Sequence, residues 1–80
     1  MIKRIHWDVI LLIIKTVLEN PKILRTPLAQ RCNRNYSQLE KYLSIMELLG
    51  LLVLEERNYK IYIKITQHGK DVYDKTKDVQ

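Results

Sequence analysis

A run of basic and hydrogen-bonding side chains lies between positions 31 and 44 of this 80-residue chain. Its members are Arg31, Arg34, Asn35, Tyr36, Ser37, Gln38, Lys41 and Ser44. If a helix carries them, its polar side chains can reach base edges in a major groove while its cations contact phosphates. The competing interpretation is the solvated face of a core helix, and Glu40 favours it because a carboxylate repels phosphates. The order of the surrounding elements favours contact with double-stranded DNA.

Individual positions in this run receive different roles. We expect Ser37 and Lys41 to enter the groove, together with Gln38 if its side chain is not used in a helix cap. Tyr36 could donate its hydroxyl to a phosphate or pack beneath the turn, and its sequence context favours neither. Tyr42 falls on the apolar face of the same helix and is expected in the core.

A second polar group follows near position 57. Arg57, Asn58 and Lys60 are candidate DNA contacts, because cations interleaved with an aromatic residue on one strand face can straddle a phosphate backbone or reach into a minor groove. The alternative is an exposed strand face on which lysines prevent edge-to-edge pairing. Glu55 and Glu56 directly before the group weaken its positive field.

No set of residues has the spacing of a catalytic or metal site. His6, Cys32 and His68 are the only soft metal ligands, and they show no ligand spacing. A Ser–His–Asp set, paired carboxylates and a glycine-rich phosphate loop are all missing. We therefore predict a protein that is not an enzyme and that binds no metal, cofactor or small-molecule ligand. Cys32 is expected to be a small core residue.

Size, composition and charge narrow the class further. Eighty residues, 46% of them hydrophobic, predict one small globular domain over residues 1–80. The net charge of +5 favours a polyanionic partner, although charge alone is weak support. The single cysteine predicts an intracellular protein, cytoplasmic and nucleoid-associated. The longest apolar run is far shorter than the roughly 20 residues that span a bilayer, so no membrane segment is predicted.

Two helices are predicted in the first half of the chain. The first covers about residues 8–20, with Asp8 as its cap and apolar residues at helical spacing up to Asn20-Pro21. The second is short, about residues 27–32, with Thr26 as N-cap and Pro27 at the first helical position.

A third helix, a hairpin and a last helix follow. The third helix covers about residues 36–49, with Asn35 and Gln38 as a capping box and Gly50 as its left-handed end. Strands over 51–55 and 59–65 form a hairpin that we call the wing (about residues 51–65). Thr66 caps a final helix over about residues 67–79. The predicted fold is mainly α with a β-hairpin: a three-helix core, a two-stranded wing and a short C-terminal helix.

The chain resembles the winged helix-turn-helix regulators of archaea in three segments: NYSQL at 35–39, LLGLL at 48–52 and ITQHG at 65–69. Together with the order of the elements, these segments extend the resemblance over about residues 8–73. The resemblance implies a DNA-binding transcriptional regulator, commonly a homodimer, and the sequence leaves open whether a cellular chromosome or a virus encodes it. It also implies that the third helix lies in the major groove with the wing beside it. Some relatives extend the last helix into a long coiled coil, whereas here it has room for little more than one apolar heptad.

The apolar surface of the first helix is wider than one small core needs. Excess apolar surface rimmed by charge often marks a partner site, and a homodimer through the first and last helices would present two reading helices to a palindromic site. The candidate interface residues are Ile5, Trp7, Leu11, Leu12, Val72, Tyr73 and Val79. In the alternative, the wing and last helix cover this surface internally. A further alternative is a protein–protein interaction module within a larger complex, without direct DNA binding.

Overall fold

A computed structural model describes residues 5–77 of the chain, which form four helices and one hairpin. The helices are α1 (Trp7–Glu19), α2 (Arg25–Arg31), α3 (Tyr36–Leu48) and α4 (Gln67–Thr76), and the strands are β1 (Leu52–Arg57) and β2 (Lys60–Ile65). The strands pair antiparallel as a two-stranded sheet. The predicted fold class, mainly α with a β-hairpin, is confirmed.

One hydrophobic core holds these elements together. Its largest fully buried side chains come from α1, α2, α3 and both strands: Ile10, Ile13, Ile14, Leu28, Leu39, Leu43, Met46, Leu52 and Ile63. Burying each such side chain contributes about 1.5–3 kcal/mol relative to leaving it in water. Helix α1 packs against α2, β2 and α4, whereas α3 packs against α2 and β1.

The starts of α1 and α2 differ from the prediction. The residue before α1 is His6, whose backbone N–H donates to the Tyr42 hydroxyl at 3.1 Å, and Asp8 lies inside the first turn instead of capping it. There its carboxylate still interacts favourably with the positive end of the helix dipole. Helix α2 begins after Leu24, so Thr26 and Pro27 lie within its first turn. The missing proline N–H is tolerated because the first helical N–H groups have no intrahelical acceptor.

A tight turn joins α2 to α3. Asn33 adopts a left-handed conformation with φ 55°, and Arg34 N–H donates to the Ala29 carbonyl at 3.0 Å, which closes the end of α2. The Asn35 side chain then accepts from Gln38 N–H at 2.8 Å and caps α3, as predicted. The reciprocal bond of a capping box, in which Asn35 N–H donates to the Gln38 side-chain oxygen, does not form within residues 5–77. The Gln38 side chain is exposed.

The end of α3 runs directly into the wing. Gly50 has φ +75°, and Leu51 N–H donates to the Met46 carbonyl at 2.9 Å, which gives the left-handed helix end that the sequence predicts. Thr66 joins this point to α4: its hydroxyl donates to the Gly50 carbonyl at 2.6 Å and accepts from Gly69 N–H at 2.9 Å. Thr66 N–H also donates to the Leu51 carbonyl at 3.1 Å. Helix α3, both strands and α4 therefore meet at one hydrogen-bonded junction.

The wing is longer on its first strand and tighter at its tip than predicted. Residues Glu56 and Arg57, expected near the tip, belong to β1, and Arg57 pairs with Lys60. Only Asn58 and Tyr59 form the turn, with φ 50° and 65°. Positive φ at both central residues is the mark of a type I′ turn, whose twist matches that of the flanking strands. Tyr59, predicted as the first residue of the second strand, lies instead at the tip.

The predicted dimer residues divide into four groups. Leu11 is buried within its own domain, so it offers little surface to a second copy. Val72 and Tyr73 are partly buried against the core. Ile5, Trp7 and Leu12 are exposed. Val79 lies outside the described residues.

The two glycines at the junction are required for different reasons, which predicts different costs for alanine. At Gly69 an added Cβ would lie 2.8 Å from Ile65 Cγ2 and closer still to the Leu51 carbonyl oxygen, whereas at Gly50 it would meet only His68 Cδ2, at 4.0 Å. Gly50→Ala should cost about 1 kcal/mol of unfolding free energy through its left-handed backbone. Gly69→Ala should cost about 3 kcal/mol through steric overlap.

Urea unfolding of the two variants and the wild-type protein measures both costs. Alanine is the better helix former by about 1 kcal/mol, so helix propensity alone would make Gly69→Ala more stable than wild type. A stabilised Gly69→Ala protein would contradict the close packing of α4 against Leu51.

Candidate nucleic-acid interface

The residues expected at the reading helix lie on one exposed surface formed by the α2–α3 turn and the outer side of α3. Ser37, Lys41 and Ser44 follow one another at helical spacing and are exposed, opposite the buried side of α3. Arg31, Arg34, Tyr36 and Gln38 are also exposed. Asn35 is exposed as well, but its side-chain oxygen is used as the helix cap. We call this surface the α3 face.

Glu40, the residue that weakens the DNA interpretation, is paired within the protein. Arg25 at the start of α2 donates to its carboxylate at 2.8 Å, and the side chains are 26% and 37% exposed respectively. The Arg25 guanidinium also lies 5.9 Å from the centroid of the Tyr36 ring, within the range of a cation–π interaction. The negative charge of Glu40 is therefore largely offset before any phosphate approaches.

Arg25 is a site residue that sequence reasoning missed. It was assigned to the connection before α2, and 15 residues separate it from Glu40. No local pattern links two residues at that separation on different helices. Only the packing of α2 against α3 brings them together.

Tyr36 shows features of both roles considered for it, a phosphate contact and packing beneath the turn. Its ring is 44% exposed but is held beside Arg25 and Glu40. Its interaction with the Glu40 carboxylate, together with desolvation, raises the pKa of the Tyr36 hydroxyl, while the nearby Arg25 charge opposes the shift. The raised pKa keeps the hydroxyl protonated through the neutral range. Tyr42, in contrast, is buried as expected and its hydroxyl accepts from His6 N–H.

The wing carries its cations near the tip. Arg57 forms an ion pair with Glu55 of the same strand face, which reduces its net contribution to the local field. Lys60 is exposed and makes no ion pair within residues 5–77. Asn58 and Tyr59 project between them, and Tyr59 is fully exposed. Tyr59 was not predicted as a surface residue because it continues the alternation of Ile61, Ile63 and Ile65 along β2.

The remaining reactive groups do not form a site in the described part of the chain. No group of three or more metal-ligating side chains occurs within residues 5–77. Burial raises the pKa of the Cys32 thiol, although a side-chain hydrogen bond with Thr16 and the charge of Arg34 act in the opposite direction. The thiol is buried and stays protonated at neutral pH, so it is unsuited to redox sensing. Over the same residues, no helix is long and apolar enough to cross a membrane.

A structural comparison agrees with this architecture. The crystal structure of AF1382 from Archaeoglobus fulgidus superimposes with a TM-score of 0.77 at 16% sequence identity, over 94% of this chain and 87% of that one. At that identity the likeness concerns the fold alone. Comparison with curated protein sequences gives no match.

A family model described as winged helix-turn-helix matches residues 3–80, almost the full length of the chain. The model spans every element described above, from α1 through the wing to α4. Domains of this family suggest DNA binding and are typically not enzymes. The chain belongs to the winged helix-turn-helix family.

Proposed function

We propose that this protein binds double-stranded DNA and regulates transcription by occupying promoter DNA as a homodimer. In this proposal the α3 face enters the major groove, and the wing contacts the neighbouring backbone and minor groove. The protein acts by binding and performs no catalysis. The observation that carries the proposal is the exposed row of Ser37, Lys41 and Ser44 on α3, flanked by arginines, in a winged helix-turn-helix domain.

The side chains of the α3 face suit the two tasks of a reading helix. Ser37 and Ser44 are short enough to let the helix backbone approach the base edges, and Lys41 and Gln38 can reach donor and acceptor groups there. Gln38 supports this role because its side chain is not used in the cap of α3. Arg31 and Arg34, at the end of α2 and in the turn, are placed to contact phosphates on either side and to fix the register.

The ion pair between Arg25 and Glu40 supports the same proposal by removing its main electrostatic objection. An unpaired carboxylate on α3 would repel phosphates, whereas the paired one leaves the cations of the α3 face dominant. The same contact ties α2 to α3, so the two helices approach the duplex as one body. Arg25 thus supports the orientation of the reading helix without needing to touch DNA itself.

Promoter occupancy is the mechanism that this geometry supports best. A domain that covers a promoter excludes other proteins from it, or brings a bound partner to it, and either outcome needs only affinity and sequence preference. Base contacts from the α3 face would supply the preference, and phosphate contacts would supply most of the affinity.

Homodimerisation is supported by the apolar side chains that the monomer leaves uncovered near the start of α1. Ile5 is 50%, Trp7 52% and Leu12 40% exposed. A two-fold contact through this surface would cover them and would place two α3 faces on one duplex. The partly buried Val72 and Tyr73 of α4 remain candidate members of the contact.

Salt dependence of DNA binding tests the proposed function. If Arg31, Arg34, Lys41 and Lys60 each neutralise one phosphate, a bound homodimer makes about eight such contacts, and the logarithm of the association constant should fall with the logarithm of salt concentration with a slope of about −7. The double variant Arg34→Ala/Lys41→Ala removes about four of these contacts, so it should bind at least about tenfold more weakly and reduce the slope by about 4. Fluorescence anisotropy with a labelled duplex of mixed sequence measures both quantities.

A matched control removes the same charge from other surfaces. Lys15 of α1 and Lys75 of α4 are exposed and lie away from the α3 face, so Lys15→Ala/Lys75→Ala should keep nearly the wild-type affinity. Equal losses in the two double variants would show that charge alone, without the α3 face, determines binding. Absence of wild-type binding even at low salt would overturn the proposed function and favour the protein–protein module.

Sedimentation equilibrium tests the proposed homodimer. The wild-type protein should sediment as a dimer, and Leu12→Lys should shift it to a monomer because a charge replaces an apolar side chain at the contact. The control is Leu48→Lys at the end of α3, where the side chain is 87% exposed and lies outside the proposed contact. A monomeric wild-type protein, or dissociation by Leu48→Lys and not by Leu12→Lys, would contradict this dimer.

A further inference from the structure

A groove of about 490 Å³ lies between the end of α1, the hairpin and the start of α4. It is formed where α1 and α4 both pack against β2. Among the described residues, its lining includes no member of the α3 face and none of the exposed apolar residues at the start of α1. Pockets of roughly 300–1,000 Å³ are the size that holds small organic molecules. The groove is therefore large enough for such a ligand.

The floor of this groove is apolar. Val17 of α1 and Ile63 and Ile65 of β2 line it and belong to the buried core. Leu18 lines it as well but is 39% exposed, and the neighbouring Pro21 is also exposed. Folding thus leaves apolar surface uncovered beside the core, and the apolar part of a ligand would remove that surface from water.

Three lysines from separate parts of the chain surround this floor. Lys22 follows α1, Lys64 belongs to β2 and Lys70 belongs to α4. All three are exposed, and none forms an ion pair within residues 5–77. Because like charges around one concavity repel one another, an anion placed among them would be stabilised.

Acidic residues do not cancel this charge within the groove. Glu55 is the only carboxylate among the described lining residues, and it is already paired with Arg57, which also lines the groove. Four cations and one carboxylate give the lining a net charge of +3. Glu19 and Asp71 are close in sequence but do not line the groove, and Asp71 accepts a hydrogen bond from Gln67 at 3.1 Å.

We propose that this groove binds a small organic anion with an apolar body. The anionic head lies among Lys22, Lys64 and Lys70, and the body lies on the apolar floor beside Leu18. Such a ligand matches both the charge and the apolar surface of the groove. The site departs from the sequence-based expectation that the chain binds no small molecule, because residues distant in the sequence form it and no local motif marks it. It does not depend on DNA binding.

Sodium octanoate, which combines a carboxylate with an apolar chain, is the probe that tests this site. Backbone amide shifts of the isotopically labelled protein, followed during the titration, should change most at residues 17–22, 62–65 and 70. Sodium acetate lacks the chain and 1-octanol lacks the charge, so each should bind at least about tenfold more weakly than octanoate.

Removal of two of the lysines tests the contribution of charge. Lys22→Ala/Lys64→Ala should weaken octanoate binding at least about tenfold, the range expected for lost hydrogen bonds to a charged group. The matched control is Lys15→Ala/Lys75→Ala, which removes the same charge from exposed side chains outside the groove and should keep the wild-type affinity. Both variants should melt near the wild-type temperature because the substituted side chains are exposed.

A second variant tests the floor and replaces the first if that protein fails to fold. Leu18→Glu introduces a carboxylate at a side chain that is already 39% exposed, and it should abolish octanoate binding by repulsion.

Three results would overturn the site. The first is equal loss of octanoate affinity in the two lysine double variants, and the second is binding of acetate or 1-octanol as tight as that of octanoate. The third is a set of amide shifts centred on Ile5, Trp7 and Leu12, which would place octanoate on the start of α1. None of these measurements includes DNA, so the proposed function stands or fails separately.

Discussion

The close approach of the first turn of α4 to the backbone at Leu51 is the constraint on which the rest of the structure depends. Gly69 lacks the Cβ that would overlap the Leu51 carbonyl oxygen, and Thr66 fills the remaining space with hydrogen bonds to Gly50 and Gly69. Because Leu51 lies between the end of α3 at Leu48 and the start of β1 at Leu52, this contact fixes the direction in which the wing leaves α3. The spacing between α3 and the wing tip is therefore set by backbone contacts, which are stiffer than side-chain packing alone. The two elements that the proposed function brings to one duplex are thus held in a defined relation.

Ion pairs within the protein change the net charge of the α3 face and of the wing tip. The α3 face and the wing tip each contain glutamates among their cations, and in each case one glutamate is paired: Glu40 with Arg25, and Glu55 with Arg57. The first pair is half-buried and joins two helices, so it also contributes to their relative orientation. The second is more exposed and is expected to contribute little to stability. Within residues 5–77, pairing thus leaves Arg31, Arg34 and Lys41 as the dominant charges of the α3 face, whereas at the wing tip the exposed Glu56 offsets Lys60.

Local sequence signals predicted much of this fold, and long-range contacts account for what they missed. Asn35 as a helix cap and Gly50 as a left-handed helix end were predictable because each effect operates within a few residues. The early start of α2 and the pairing of Arg25 with Glu40 depend on the packing of two helices, which no local pattern encodes. Tyr59 was misassigned because strand alternation extends through it and the turn lacks the glycine that usually marks a two-residue hairpin. Which exposed residues could belong to a DNA interface was predictable from their types and order, whereas their contact with DNA stays a prediction.

Backbone amide chemical shifts of the isotopically labelled protein, followed while duplex DNA is added at low salt, test the central claim most directly. The account predicts that the largest shifts fall on residues 31–44 and 57–60, the α3 face and the wing tip. Because the junction of Gly50, Thr66 and Gly69 connects these surfaces without facing the duplex, its amides should shift less than theirs. Shifts concentrated on α1 and α4, or no shifts at all, would contradict the claim that α3 and the wing form one DNA-binding surface.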